Sequence, residues 1–190
     1  MEENLSKSEQ ERQARLAASQ RRKHKKVIIW LVVLGIIVVA GYWLINYSRT
    51  RQERKPGEQI PEMGVNHISI GEEHEPYNSN PPTSGPHYAQ PANWGIYEEQ
   101  LADEQLVHNL EHGGIWISYR DPAHQDLVAQ LKDIADDYTI KVILTYRPQN
   151  DSAIAVAAWG RLLKLEQVDR QQIVDFIKAF INKGPEQVPF

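Results

Sequence analysis

Residues 104–119 read EQLVHNLEHGGIWISY, and they hold both a helix-to-strand transition and two closely spaced histidines. The first nine residues have a helical pattern behind Asp103, a residue type that favours a helix N-cap, and Gly113 and Gly114 are typical of a helix end. Of the next five residues, IWISY (115–119), four are β-branched or aromatic, which predicts a strand. His108 and His112 lie four residues apart on the helix, so their rings project from one face, about 6 Å apart.

The sequence after this segment alternates helical and strand patterns. Leu127, Leu131, Ile134 and Ala135 form one apolar helical face, and Gly160 separates two apolar runs. The order of elements predicts an α+β domain, a small mixed sheet with helices packed on it, or alternatively a thioredoxin-like layering. The predicted elements are a helix at 123–138, strands at 140–147, 152–160 and 161–168, and a final helix that begins at Asp169.

The sequence before this segment is a long stretch rich in turn-forming residues. Residues 65–100 contain five prolines among glycines, asparagines and serines, which is typical of irregular structure. The same stretch carries several aromatic residues and histidines, so we expect an ordered and packed loop with a function. His67 and His87 belong to it.

Histidines are concentrated in one part of the chain, since five of the seven fall within residues 67–112. His108 and His112 can converge on one metal ion, and we predict His67 and His87 as the third and fourth ligands. Cysteine is absent and Met63 is the only methionine after the first residue, which disfavours Cu(I). The predicted cofactor is therefore a divalent transition metal ion, zinc or copper(II), released at low pH as the imidazoles are protonated. The alternative is a pair of hydrogen-bonded or solvated imidazoles near a helix C-terminus, where positive charge is favoured.

Two other functions fit the same residues. His108 to His112 follow the order H-x-x-E-H of the inverzincin proteases, in which Glu111 would activate a zinc-bound water, and a third ligand would have to come from far downstream, with Glu166 or Glu186 as candidates. A metal-free interaction module of the cell envelope is the second alternative, because exposed aromatic residues anchor partners. The competing interpretation of those aromatic residues is core packing. They are Trp94, Tyr97, Trp116, Tyr119 and Trp159.

The N-terminal part predicts a membrane anchor. Residues 27–45 read VIIWLVVLGIIVVAGYWLI, nineteen residues without charge, and they predict a transmembrane helix at 27–48 that contacts the lipid bilayer. Basic residues before this span place the tail 1–26 in the cytoplasm, which makes the protein a single-pass membrane protein with an extracytoplasmic domain at 65–190. Residues 49–64 are polar and predict a tether that does not pack. A cleaved signal peptide is the alternative for the apolar segment.

Charge and composition exclude other classes of function. The net charge is −4 overall, and residues 56–190 carry nine basic and twenty acidic side chains. Such a balance repels phosphate backbones, so we expect no nucleic-acid partner. The absence of cysteine excludes disulfides, thiolate metal ligands and thiol nucleophiles.

Three motifs carry a resemblance to a known family. The strings YNSNPPTSGPHY (77–88), WGIY (94–97) and HNLEHGG (108–114) resemble the membrane-anchored bacterial proteins grouped as domain-of-unknown-function family 3105, over residues 64–190. The resemblance implies one N-terminal span and one outer domain, with no established activity. The histidines that recur in this family correspond to His67, His87, His108 and His112, whereas His74 and His124 lie outside the pattern.

Overall fold

The computed structural model describes Lys26, residues 28–47 and residues 55–186. The predicted basic tail, apart from Lys26, lies outside these described residues, as do residues 49–54 of the predicted tether and the last four residues. The chain divides into two compact units, Met1–Arg54 and Lys55–Phe190.

In the first unit, helix α1 spans Ile28–Tyr47. An 18-residue window of this helix has a mean hydropathy of 2.7, and at about 1.5 Å per residue its twenty residues extend roughly 30 Å, the thickness of the hydrocarbon layer. The helix is therefore long and apolar enough to cross a membrane, in agreement with the predicted span. A signal sequence near an N-terminus has the same length and composition.

The second unit is a mixed α+β domain, as predicted. A six-stranded sheet has the order β1-β8-β7-β5-β6-β4, and β2 and β3 form a separate parallel pair. Strand β5 pairs in parallel with β6 and antiparallel with β7, and β7 and β8 are also antiparallel. The strands are β1 (Glu58–Gln59), β2 (His67–Ile68), β3 (His87–Tyr88), β4 (Gly95–Ile96), β5 (Ile115–Tyr119), β6 (Val142–Tyr146), β7 (Ile154–Ala158) and β8 (Arg161–Leu165), and the helices are α2 (Asp103–Glu111), α3 (Gln125–Ala135) and α4 (Arg170–Phe180).

Both faces of the sheet are covered by helices. Ile115 and Ile117 of β5 belong to the core that includes α3 and α4, whereas Trp116 belongs to the core that includes α2. This alternation follows from the two-residue period of a strand, and a strand buried on both faces reads as a continuous apolar run. The resulting helix–sheet–helix arrangement confirms the predicted mixed sheet with packed helices.

The two predicted helix starts had different outcomes. Asp169 is the N-cap of α4, where its carboxylate accepts a hydrogen bond from the Gln172 amide at 3.0 Å, as predicted. The prediction that Asp103 caps α2 was wrong, because the N-cap is Ala102 and it makes no side-chain cap bond. Asp103 lies in the first turn, and Arg147 donates to both of its carboxylate oxygens, at 2.9 and 2.6 Å. A tertiary ion pair thus takes the oxygens that a cap would have used.

The folded unit begins at Lys55, ten residues before the boundary expected from the sequence. Strand β1 completes the edge of the sheet by pairing with β8, and Ile60 is buried in the core beside α2. Gly57, with φ of +75°, lies so close to Phe176 that a Cβ would be 2.7 Å from its ring. The polar composition of residues 55–64 makes this segment hard to predict, because it contributes mainly backbone pairing and few apolar side chains, of which Ile60 is buried.

Candidate metal centre

The pairing of β2 with β3 brings two histidines together. His67 and His87 are directly opposite each other in this parallel ladder, and their ring centroids lie 4.8 Å apart. The His87 side chain is completely buried, while the His67 side chain is 48% exposed. The prediction that the loop at 65–100 is ordered and packed is confirmed here, since Thr83 and Ser84 are fully buried as well.

Helix α2 supplies the facing side of the cluster. His108 and Glu111 lie three residues apart and are both buried, and His112 follows at the C-cap of the same helix. The His108 ring centroid is 5.1 Å from those of His67 and His87, and 4.4 Å from that of His112. The structure therefore brings all four predicted histidines into one cluster.

Backbone carbonyls fix the orientation of the two buried rings. Nδ1 of His87 lies 2.7 Å from the Gly85 carbonyl, and Nδ1 of His108 lies 2.6 Å from the Tyr88 carbonyl. A carbonyl only accepts hydrogen bonds, so each Nδ1 carries a proton and donates it, which leaves the lone pair of the neutral ring on Nε2. Metal-binding histidines in proteins are held in this way.

The Nε2 atoms of the histidines lie close to the Glu111 carboxylate or to one another. Nε2 of His87 lies 3.0 Å from Oε2 of Glu111, and Nε2 of His67 lies 3.5 Å from the same oxygen. Nε2 of His108 lies 3.0 Å from Nε2 of His112. Two ligand atoms of a tetrahedral zinc ion are about 3.3 Å apart, so these spacings suit a shared cation. Without a cation, each contact needs a proton between its two atoms.

A glutamate from the end of the domain joins the cluster. Oε2 of Glu186 lies 3.1 Å from Nε2 of His112. The segment that carries Glu186 returns to the end of α2, where the Asn182 amide donates to the Gly113 carbonyl at 2.8 Å and the Glu186 amide donates to the Glu111 carbonyl at 3.1 Å. The carboxylate is thus positioned by the backbone, and its side chain is 51% exposed.

The ligand atoms form two overlapping groups. Within each group all atoms lie within 4.8 Å of one another, and His108 and Glu111 belong to both. From the sequence, Glu111 was predicted only as a general base and Glu186 only as a candidate third ligand of a protease. The place of Glu111 beside His67 and His87, and that of Glu186 beside His112, were missed. The groups are His67, His87, His108 and Glu111, and His108, Glu111, His112 and Glu186.

The electrostatics of the cluster favour the neutral, unprotonated form of the His108 imidazole. Burial lowers the pKa of His108, the carbonyl of Tyr88 opposes this effect, and the neighbouring His112 and His87 lower the pKa further. A lowered pKa keeps His108 unprotonated near neutral pH, which is the form that binds metal. The cluster also contains two carboxylates, which offset the charge of a bound cation.

The aromatic residues proposed for an interaction surface are largely part of the core. Trp116 is fully buried and donates a hydrogen bond to Oγ1 of Thr145 at 2.8 Å, and Tyr119 is 2% exposed. Trp94, Tyr97 and Trp159 are partly buried and pack against the core beside α2. Core packing is therefore the interpretation that the structure favours for these five residues.

Fold and cluster together define a class: a mixed α+β domain that gathers four histidines and a buried glutamate, in a chain with an N-terminal apolar helix. The chain belongs to the family described as Protein of unknown function (DUF3105), and the match covers residues 67–189, including all four histidines of the cluster. This match confirms the family resemblance found in the three motifs. No curated protein and no solved structure matches the chain.

Proposed function

We propose that this protein is anchored in the cell membrane and binds a divalent transition metal ion, zinc or copper(II), through the histidine cluster of its extracytoplasmic domain. The observation that supports this most directly is the arrangement of His87 and His108. Each donates Nδ1–H to a backbone carbonyl, and the Nε2 atoms of both lie in one group with a buried carboxylate. Holding imidazoles rigidly in the ligand orientation lowers the cost of assembling a metal site.

The buried group provides a complete ligand set for one ion. His67, His87, His108 and Glu111 give three nitrogens and one oxygen, a set of four that suits tetrahedral zinc. Copper(II) also accepts imidazole and carboxylate ligands. His112, the fourth predicted histidine, lies outside this set of four, on the side of the cluster that faces Glu186.

Membrane anchoring and orientation are part of the proposal. The apolar helix α1 supports anchoring, and the basic residues before it support a cytoplasmic N-terminus. Exposing intact cells and inverted vesicles to protease tests the orientation. If the protease digests the domain in intact cells with a permeable outer layer but not in inverted vesicles, the proposed orientation is supported. Digestion only in inverted vesicles contradicts that orientation.

The metal proposal is tested on the full-length chain, purified in detergent without a polyhistidine tag and stripped of metal. Calorimetric titration with zinc and with copper(II) should show binding with a dissociation constant tighter than about 10 μM. His87→Ala should abolish or strongly weaken it, whereas His124→Ala, which removes an exposed imidazole outside the cluster, should not. Failure to bind either ion in that range contradicts the proposal and leaves a metal-free envelope module as the alternative.

One observation favours a zinc-dependent hydrolase as a second candidate. The third ligand that the H-x-x-E-H order requires from far downstream is available, because Glu186 approaches His112. In that mechanism Glu111 acts as general base, so Glu111→Gln would remove peptidase activity while metal stays bound. If Glu111 is a ligand, the same substitution weakens metal binding instead, and a combined binding and peptidase assay separates the two roles.

A further inference from the structure

We infer that the cluster holds two divalent metal ions, with Glu111 bridging them. The inference rests on the proposed metal-binding function and adds the number of ions and the division of the ligands. Its starting point is the presence of two overlapping groups of four ligand atoms, rather than one group, on the same face of α2.

Geometry separates the two ends of the cluster. With metal–ligand distances of about 2.0–2.2 Å, two ligand atoms of one ion lie at most about 4.4 Å apart. The complete set of six ligand atoms does not fall within 4.8 Å, whereas each group of four does. One ion in the observed geometry therefore leaves some of these residues without a metal ligand role, and two ions use all six.

The contacts divide the ligands between two positions. The first ion takes His67 and His87 with one oxygen of Glu111, since Oε2 already lies 3.5 and 3.0 Å from their nitrogens. The second ion takes His112 and Glu186, whose Nε2 and Oε2 are 3.1 Å apart, with the other oxygen of Glu111.

His108 is the remaining ligand, and it binds one of the two ions. Its Nδ1 is occupied by the Tyr88 carbonyl, so only its Nε2 can bind a metal ion. A carboxylate has two oxygens and can bind one ion with each, which is how paired metal ions about 3.5–4 Å apart are held. Glu111 is suited to this bridging role because it belongs to both groups and its side chain is only 6% exposed.

The test is a metal count on the full-length chain without a polyhistidine tag, equilibrated with zinc and analysed for metal after removal of loosely bound ions. We expect two ions per chain for the wild type and one for Glu186→Ala. Glu166→Ala is the matched control, because it removes an exposed carboxylate outside the cluster. His112→Ala is a second variant that removes a ligand of the same ion. Far-UV circular dichroism verifies that each variant is folded.

Copper(II) gives an independent measurement. Two ions bridged by one carboxylate are magnetically coupled, so the wild type should show a reduced electron paramagnetic resonance intensity per copper, and Glu186→Ala should restore the full signal of an isolated ion. Two ions in Glu186→Ala, or one ion in the wild type, would overturn the two-ion inference and leave the proposed function intact. No bound ion in the wild type would overturn both.

Discussion

Replacing Gly85 with alanine tests whether the loop that orients His87 controls metal affinity without supplying a ligand. Gly85 has φ of +119°, and its carbonyl receives the hydrogen bond from His87 Nδ1 at 2.7 Å. A Cβ at this position would lie 3.1 Å from Cε1 of Tyr77 and 3.2 Å from Cβ of Met63. The substitution therefore introduces backbone strain and a close contact at the point that fixes the ring.

The magnitude follows from these two effects. An L-residue at such a φ costs about 1–3 kcal/mol, which lowers the melting temperature by roughly 4 °C per kcal/mol in a domain of this size. Relief of the strain requires the loop to shift, and the shift moves the carbonyl that holds His87. Loss of such an outer-shell partner typically weakens metal binding 10–100-fold. We expect Gly85→Ala to show both the lower melting temperature and the weaker binding.

The assay is competition for zinc against a chromophoric chelator, with thermal unfolding of the metal-free protein measured in parallel. Gly71→Ala is the matched control, because Gly71 also has a positive φ of +81° but nothing lies within 4 Å of its Cβ position. It should lose stability through backbone strain and keep its zinc affinity. Wild-type affinity in Gly85→Ala, or an equal loss of affinity in Gly71→Ala, would refute the assigned role of the loop.

Three further predictions concern stability and the membrane helix. Asp103→Ala leaves the Arg147 side chain, 6% exposed, without its carboxylate partner, so urea unfolding should show a loss of about 3 kcal/mol, and an unchanged midpoint would show that the ion pair contributes nothing. Burial and, to a smaller extent, the charges of Glu104 and Asp103 raise the pKa of Tyr77 above its ordinary value of 10.0, so the folded state keeps the phenol neutral while the unfolded chain ionises. The stability from this difference is complete below pH 10 and is lost as pH rises further. The free energy of unfolding should therefore fall less steeply between pH 9 and pH 11 in Tyr77→Phe than in the wild type, and equal slopes would contradict this account. Helix α1 should remain attached to the domain in membranes, so intact mass spectrometry should recover the uncleaved chain, and a mature species lacking residues 28–47 would identify a signal sequence instead.

Local patterns in the sequence determined much of this protein. The apolar run of α1, the strands β5 to β8 and the amphipathic helices α3 and α4 all follow from hydrophobic period, and Asp169 identifies a helix start. The shared face of His108 and His112 is equally local, because four residues make about one helical turn. These features depend on neighbours within a few positions, so they can be predicted from the sequence.

Contacts between distant residues had to be supplied by the tertiary structure. The position of His67 beside His87 depends on the register of two short strands twenty residues apart, and Glu186 reaches His112 across 74 residues. The role of Asp103 changed from a predicted cap to an ion pair because Arg147 approaches it from another strand end. The sequence alone determined which elements form and that histidines are concentrated in one region, whereas only the folded chain decided which nitrogens and carboxylates meet. Hydrophobic period and helix capping act over one or two turns of chain, but a metal centre depends on distances of a few ångströms between segments that only long-range packing brings together.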